Sequence, residues 1–105
     1  FFPLRIIPSG IDQNNIPVEF AMKGNYPNPF NPLTTIEFDL PADGMVNMTV
    51  FNIAGRQVAK LIDRQNMQAG SYELTWNAAD YASGVYIVRA QYGTDVAYQK
   101  MTLLK

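Results

Sequence analysis

Carboxylates are the only side chains in this sequence that could form a familiar catalytic pair. The 105 residues include no histidine and no cysteine, so the commonest general base and zinc ligand, thiolate nucleophiles and disulfides are all excluded. The nine acidic residues are scattered, and Asp43, Asp80 and Asp95 lie in loop-like stretches, where aspartate bonds to the backbone of its own turn. The sequence therefore predicts no catalytic, cofactor-binding or metal-binding residues, and no enzymatic activity.

Charge and length exclude two further classes of partner. The chain has 8 basic and 9 acidic side chains, and its net charge is −1. It therefore lacks the stripe of basic residues with which proteins bind the phosphates of nucleic acid or an anionic membrane surface. No apolar run approaches the roughly 20 residues of a spanning helix, so we expect no transmembrane segment. A chain of 105 residues forms one core but hardly a deep enclosed pocket.

Alternating apolar residues predict most of the secondary structure. A two-residue period, typical of half-buried strands, places Ile36, Phe38 and Leu40 on one face of the first clear strand. The same period continues in four later segments, separated by turns at glycines. These segments are residues 46–50, 71–76, 85–92 and 96–104. Residues 56–62 fit either a kinked strand or one helical turn. Six or seven strands at this spacing predict an all-β fold of two antiparallel sheets packed face to face.

Proline divides the chain into two parts, because all seven prolines lie at or before Pro41. Proline fixes its own backbone and favours extended geometry before it, so we predict a linker over residues 8–16 and a short edge strand over residues 17–22. The domain boundary follows from this. Residues 1–16 are expected to be a linker or the end of an upstream region, and residues 17–105 the β-sandwich.

The aromatic residues could serve either the core or a carbohydrate ligand. Five of them fall on the apolar faces of predicted strands, where a core position is the default; these are Phe38, Tyr72, Trp76, Tyr86 and Tyr92. Four others have polar or loop neighbours and are the candidates for stacking on sugars: Tyr26, Phe30, Tyr81 and Tyr98. Their spacing does not single out a binding site.

The segment from Asn25 to Pro32 is the most unusual part of the sequence, with prolines at 27, 29 and 32 between asparagines. Such a segment is stiff and has few backbone N–H donors. Our first interpretation is a rigid cap that plugs the end of the sandwich with Tyr26 and Phe30. The alternative is a preformed recognition surface.

Five motifs in order resemble a known family. They are Gly24 to Ile36 with its Pro27-Asn28-Pro29, Val50 to Val58, Ala69 to Trp76, Ser83 to Tyr86, and Lys100 to Lys105. Together they resemble the type A C-terminal sorting domain of type IX secretion cargo, and the related immunoglobulin-like domain family named after the flagellar hook-capping protein. The resemblance implies an immunoglobulin-like antiparallel β-sandwich of about seven strands, with no cofactor.

The resemblance also implies a function in delivery. Such domains end larger exported proteins, which pass through the periplasm and are recognised by the outer-membrane type IX machinery; a sortase-like peptidase often removes the domain. The cargo is then secreted or attached to the cell surface. Carried over by position, the sorting-signal residues are Pro27, Asn28, Pro29, Gly84, Val85, Tyr86, Lys100 and Lys105. The scissile region would fall near residues 8–17, and the start at Phe1 without a methionine leads us to expect a longer protein.

The terminal segment suggests how a receptor could bind. Residues 96–104 would form an edge strand, and an edge with free backbone groups can pair with a partner strand. A second hypothesis of another class remains open: an immunoglobulin-like accessory module that binds carbohydrate or spaces catalytic domains.

Overall fold

The computed structural model describes residues 4–6 and 18–105, and every regular element there is a β-strand. The eight strands form two antiparallel four-stranded sheets. Sheet A has the order β1-β6-β3-β2 and sheet B the order β5-β4-β7-β8. The strand bounds are β1 Leu4–Ile6, β2 Ala21–Tyr26, β3 Leu33–Leu40, β4 Gly44–Asn52, β5 Gln57–Met67, β6 Gly70–Asn77, β7 Gly84–Tyr92 and β8 Asp95–Leu103. The predicted all-β sandwich is confirmed, with seven strands between residues 21 and 103 and β1 in addition.

The core lies between the two sheets and follows the predicted alternation. In β3 the buried apolar positions are Ile36, Phe38 and Leu40, and in β4 they include Val46, Met48 and Val50. The buried side chains of β6 and β7, together with others from β5, β8 and the loops, complete a single cluster. In β3, β6 and β7 buried residues alternate with more exposed ones, so a one-residue slip would turn the apolar set away from the core, and this fixes the register.

One strand prediction differs from the structure, and the structure decides between two alternatives for another segment. The first strand after the proline-rich start runs over Ala21–Tyr26 rather than residues 17–22, and its pairing with β3 is interrupted by a bulge between Met22 and Gly24. Of the two alternatives for residues 56–62, the kinked strand is correct: Arg56 lies in the turn, and residues 57–62 begin the long strand β5. Several register shifts between β4 and β5 explain why no simple period was visible there, because each bulge reverses the faces of the following residues.

The upstream part of the chain is described only at β1. Residues 4–6 pair with β6, with Arg5 opposite Glu73 in the register. The predicted linker over residues 8–16 lies outside the described residues. Within the part that the structure describes, no helix has the length and apolar character needed to cross a membrane.

Gly44 at the start of β4 leaves room for the ring of Tyr92. A Cβ at Gly44 would lie 2.7 Å from Cε1 of Tyr92. The ring cannot easily move away, because its hydroxyl donates a hydrogen bond to the carbonyl of Ala42 at 2.8 Å and its face stacks on Phe20 at a centroid distance of 5.4 Å.

We therefore predict that Gly44→Ala lowers the free energy of unfolding by about 1–3 kcal/mol, the usual cost of forcing an extra group into a packed site. Met45→Ala is the matched control at the adjacent, exposed position, where a change within roughly 0.5 kcal/mol is expected. Urea denaturation of both variants measures the difference. Equal stabilities would show that the Tyr92 ring moves at little cost.

Candidate functional site

The three motifs that contain the expected sorting-signal residues meet at one place in the fold. Residues 27–30 lie along the outer edge of β8, residues 84–86 pair with the other edge of β8, and residues 100–105 contain the end of β8 itself. We call this region the motif end. It unites segments that are up to 74 positions apart in sequence, so it exists only in the folded chain.

Asn28 binds the terminal strand with both atoms of its side-chain amide. Its Nδ2 donates to the carbonyl of Lys100 at 3.3 Å, and its Oδ1 accepts a hydrogen bond from the N–H of Thr102 at 3.0 Å. The primary amide thus takes the place that the peptide groups of a neighbouring strand would occupy. Asparagine is suited to this position because it offers a donor and an acceptor side by side.

Phe30 continues the contact with its backbone and fills the core with its ring. Its N–H donates to the carbonyl of Thr102 at 2.9 Å, and its carbonyl accepts from the N–H of Leu104 at 3.0 Å, forming a parallel bridge with Leu103. The ring is only 2% exposed and lies 5.8 Å from Trp76, centroid to centroid. The segment is therefore both hydrogen-bonded to sheet B and packed into the core.

The Gly84-Val85-Tyr86 motif forms the inner neighbour of the terminal strand. Gly84 lies opposite Leu103, and Tyr86 lies opposite Met101. The Tyr86 hydroxyl donates to the carbonyl of Ala82 at 2.6 Å, and its ring meets Trp76 edge-on at 5.7 Å. The motif holds the loop before β7 against the core, which sets the position of β8.

The last residue of the chain is attached to the loop before β7. The backbone N–H of Lys105 donates to the Ser83 hydroxyl at 3.0 Å, and its ammonium group donates to the carbonyl of Ala79. The Lys105 and Lys100 side chains are exposed. The motif end therefore presents two cations on a fixed backbone, and a neighbouring rigid segment with exposed Pro27 and Pro29.

A polar network supports the Pro27-Asn28-Pro29 segment from behind. The hydroxyl of Thr34, which is buried, donates to the carbonyl of Pro27 at 3.0 Å and accepts from the Asn25 amide at 3.0 Å. Gln99 donates to the Asn25 carbonyl oxygen at 3.1 Å. Thr34 could have been found from sequence, because the alternation of β3 puts it on the same face as Ile36. Asn25 and Gln99 carry no such signal.

Three sequence interpretations of this region are wrong in part. Phe30 plugs the sandwich as expected, but Tyr26 does not, because it is 49% exposed. Phe30 is buried and is therefore not available to stack on a carbohydrate. The ring of Tyr81 is half-buried, with its centroid 5.6 Å from that of Trp76. β8 is an edge strand as expected, yet Asn28 and Phe30 occupy its backbone groups between Lys100 and Leu104.

Two tyrosines have perturbed ionisation. The Tyr26 hydroxyl donates to the Glu73 carboxylate at 3.0 Å, and this hydrogen bond is the main reason that the pKa of Tyr26 is raised to about 12, with Glu37 adding to it. Burial raises the pKa of Tyr72. Neither residue belongs to the motif end. Among the described residues no group of acidic side chains is arranged to hold a metal ion.

Comparison with known protein families gives one match. A family model described as "Secretion system C-terminal sorting domain" matches residues 25–103. The chain belongs to this family. The match covers most of the chain, begins at Asn25 just before the Pro27-Asn28-Pro29 segment, and ends at Leu103, the last residue of β8. No curated protein sequence matches the chain.

Membership defines what the sorting domain does. It is a C-terminal sorting signal for the type IX secretion system, so it directs the protein that carries it to the outside of the cell or the cell surface. The family is one of sorting signals and not of catalysts.

We predict that Asn28→Ala destabilises the sorting domain by about 1–3 kcal/mol, because the N–H of Thr102 and the carbonyl of Lys100 lose their side-chain partners. Asn31→Ala is the control, since Asn31 is exposed three positions away. Urea unfolding can be followed by the fluorescence of Trp76, the only tryptophan in the chain, which contacts Phe30 directly. If both variants unfold at the same urea concentration, Asn28 does not hold the segment.

Glu73→Gln should lower the pKa of Tyr26 from about 12 towards its ordinary value, because a neutral amide does not favour the protonated phenol as a carboxylate does. A raised pKa in the folded state stabilises the fold below pH 10, and this stabilisation is lost as the pH rises towards 12. An NMR titration of the Tyr26 ring measures the shift, with Glu19→Gln at an exposed position as control. An unchanged titration would contradict the assigned cause.

Proposed function

We propose that the motif end is the surface by which the outer-membrane type IX machinery recognises this sorting domain. The observation that carries the proposal is the convergence of the three motifs on the terminal strand. Asn28 and Phe30 are hydrogen-bonded to one edge of β8, and residues 84–86 to the other. A receptor that contacts this region therefore contacts all three motifs at once, and only when the domain is folded.

The charge and exposure of the motif end support a contact with a receptor. Lys100, Lys105 and the prolines of the 27–29 segment are exposed, while Phe30, Tyr86 and Leu103 are buried beneath them. The residues thus divide into two groups. Those that face solvent are available to a partner, and the buried ones hold the surface rigid, which reduces the entropy lost on binding.

The route and processing of the protein form the second part of the proposal. The cargo reaches the periplasm by an upstream signal peptide, and the outer-membrane machinery then exports it. A sortase-like peptidase cleaves the chain near residues 8–17, between the upstream region of residues 1–16 and the domain of residues 17–105. The cargo is then linked to the cell surface or released. The shared motifs also support kinship with the flagellar hook-capping immunoglobulin-like domains.

The accessory-module alternative has less support. Of the four aromatic residues suspected of carbohydrate contact, Phe30 and Tyr81 are used in core packing, which leaves Tyr26 and Tyr98 exposed. Tyr26 already donates its hydroxyl to Glu73. Binding of a polysaccharide by the isolated domain would revive this alternative.

A secretion assay tests the main proposal. Residues 1–105 are fused behind a signal peptide and a fluorescent reporter, in a bacterium with a working type IX system and in a mutant without it. We expect reporter outside the cell only in the intact strain. A folded fusion that stays in the periplasm of both strains, in a host shown to export a native cargo, would contradict sufficiency of the domain.

Single substitutions then test the motif end itself. We expect Lys105→Ala to reduce the secreted fraction several-fold and Arg56→Ala to leave it unchanged, since both remove one exposed cation but Arg56 lies in the turn between β4 and β5. Deletion of residues 102–105 is a poorer test, because it also removes Leu103, which is completely buried. Circular dichroism confirms folding. Equal secretion of the two variants would contradict a role for Lys105.

A further inference from the structure

The outward faces of the two sheets differ in chemistry. An antiparallel sheet with one face on the core normally turns polar residues to solvent on the other. The central strands of sheet A, β3 and β6, follow this rule, because the residues that alternate with their buried positions are almost all polar. In the middle of the two strands they are Thr35, Glu37, Asp39, Ser71, Glu73 and Thr75.

Sheet B does not follow the rule. The inward residues of β4, β7 and β8 are those in line with Val50, Val88 and Met101, which are completely buried. The outward residues alternate with them, and the register brings the three sets side by side. We call these outward residues of β4, β7 and β8 the outer face of sheet B. Its apolar and aromatic members are Met45, Phe51, Val85, Ile87, Val96 and Tyr98.

The apolar members form a strip across this face. Phe51 lies opposite Ile87 in the pairing of β4 with β7, and Val85 is two positions before Ile87 on the same side of β7. On β8, Tyr98 is 63% exposed and Val96 is 39% exposed. Apolar side chains gathered on an outward face are typical of a surface that binds a partner.

The charges on the outer face of sheet B are all positive. Arg89 lies opposite Tyr98, and Lys100 lies opposite Ile87. Among residues 18–105 neither cation forms an ion pair, whereas Lys60 on the neighbouring β5 is 3.3 Å from Asp63. Two unpaired cations beside an apolar strip are complemented by a partner that carries carboxylates around an apolar patch.

A second copy of this chain does not offer that chemistry. Two outer faces of sheet B packed about a two-fold axis would bring Arg89 and Lys100 of both copies into one interface, where like charges repel. The outward face of sheet A is acidic, but it would place hydroxyls and carboxylates against the apolar strip around Phe51 and Ile87. The complementary partner is therefore a different protein.

The outer face of sheet B is continuous with the motif end. Val85 and Lys100 belong to both, because each lies in one of the sorting motifs and each points outward from its strand. A protein bound at the motif end is thus in position to cover the adjacent part of sheet B. Ile87, Arg89 and Tyr98 lie on this face but outside the three motifs, so substitutions there separate the two regions.

We propose that the outer face of sheet B is a docking surface for a protein that presents carboxylates around an apolar patch, and that Ile87, Arg89 and Tyr98 extend the contact made at the motif end. This inference rests on the proposed function, since the partner is a component of the outer-membrane type IX machinery. It adds the chemistry of that component and a part of the domain that the motifs do not include.

The test measures binding of the labelled chain of residues 1–105 to fragmented outer membranes, from a strain with the type IX system and from a strain without it. We expect more binding to the first preparation. Ile87→Thr and Tyr98→Thr should each weaken it several-fold, because threonine keeps the strand preference but removes apolar surface. Leu33→Thr is the control, since Leu33 is 49% exposed at the start of β3 in the other sheet. Circular dichroism checks folding, and Tyr98 is exposed enough to be replaced without disturbing the core.

A substitution of Arg89 tests the electrostatic part. We expect Arg89→Gln to bind several-fold more weakly at low salt and to depend less on salt than the parent chain, because added salt screens the attraction that the variant has already lost. Lys23→Gln is the control. It also removes one cation, but from sheet A, where Lys23 is 3.6 Å from Asp39, and it should bind as the parent does.

The outcomes distinguish this inference from the proposed function. Normal binding of the Ile87, Tyr98 and Arg89 variants with weak binding of Lys105→Ala would overturn the docking surface and leave the motif end intact. The reverse result would overturn the motif end and support the docking surface.

Three further results would overturn the protein partner. The first is equal binding of the parent chain to both membrane preparations. The second is equally strong binding to protein-free vesicles of phosphatidylglycerol, which would show that the face lies on a membrane. The third is a dimer in analytical ultracentrifugation that Ile87→Thr dissociates, which would show that a second copy covers the face.

Discussion

The contact between residues 28–30 and the outer edge of β8 connects the proline-rich segment, the terminal strand and the aromatic core. An edge strand must find partners for its backbone groups, and a segment that contains Pro27 and Pro29 has few N–H groups to offer. The side-chain amide of Asn28 supplies the missing donor and acceptor, and Phe30 adds the next backbone pair. The proline-rich segment thereby becomes a short substitute for a strand, held in place by the buried Phe30 ring.

This contact also joins the two sheets. The segment leaves β2 in sheet A and binds β8 in sheet B, and Gln99 reaches back to Asn25 with a hydrogen bond. Trp76 of sheet A lies beneath, in contact with the rings of Phe30, Tyr81 and Tyr86. Among residues 4–6 and 18–105, no group accepts a hydrogen bond from its buried indole N–H, and an unpaired buried N–H costs roughly 1–3 kcal/mol. The surrounding aromatic contacts and buried apolar area offset that cost, so the core at this end relies on packing.

The sequence predicted the strands whose period is regular and failed where it is not. β3, β6 and β7 alternate without interruption, and their buried faces were read correctly from residues such as Ile36, Leu74 and Val88. β2 and β5 contain bulges, and a bulge shifts the period without leaving a clear composition signal. The sequence also could not show that Tyr26 is exposed and Phe30 is buried. Both are aromatic residues beside proline, and only their tertiary contacts differ.

The motif end was predictable as a set of separate motifs but not as one surface. Resemblance marked Pro27-Asn28-Pro29, Gly84-Val85-Tyr86 and Lys100 to Lys105 separately, while their meeting depends on pairings between distant parts of the chain. Local pattern does not encode such pairings, because the same asparagine could bond within its own turn.

The proposal that the motif end is the recognition surface has a physical consequence for export. In an unfolded chain residues 28 and 102 are separated by a long loop, whose closure costs entropy, so the composite surface is essentially absent until the sandwich forms. Its presence therefore reports that the core around Phe30 and Leu103 is packed. A linear signal would be readable in unfolded and folded chains alike. A receptor that requires this composite surface would bind folded domains selectively, without a separate step that inspects folding.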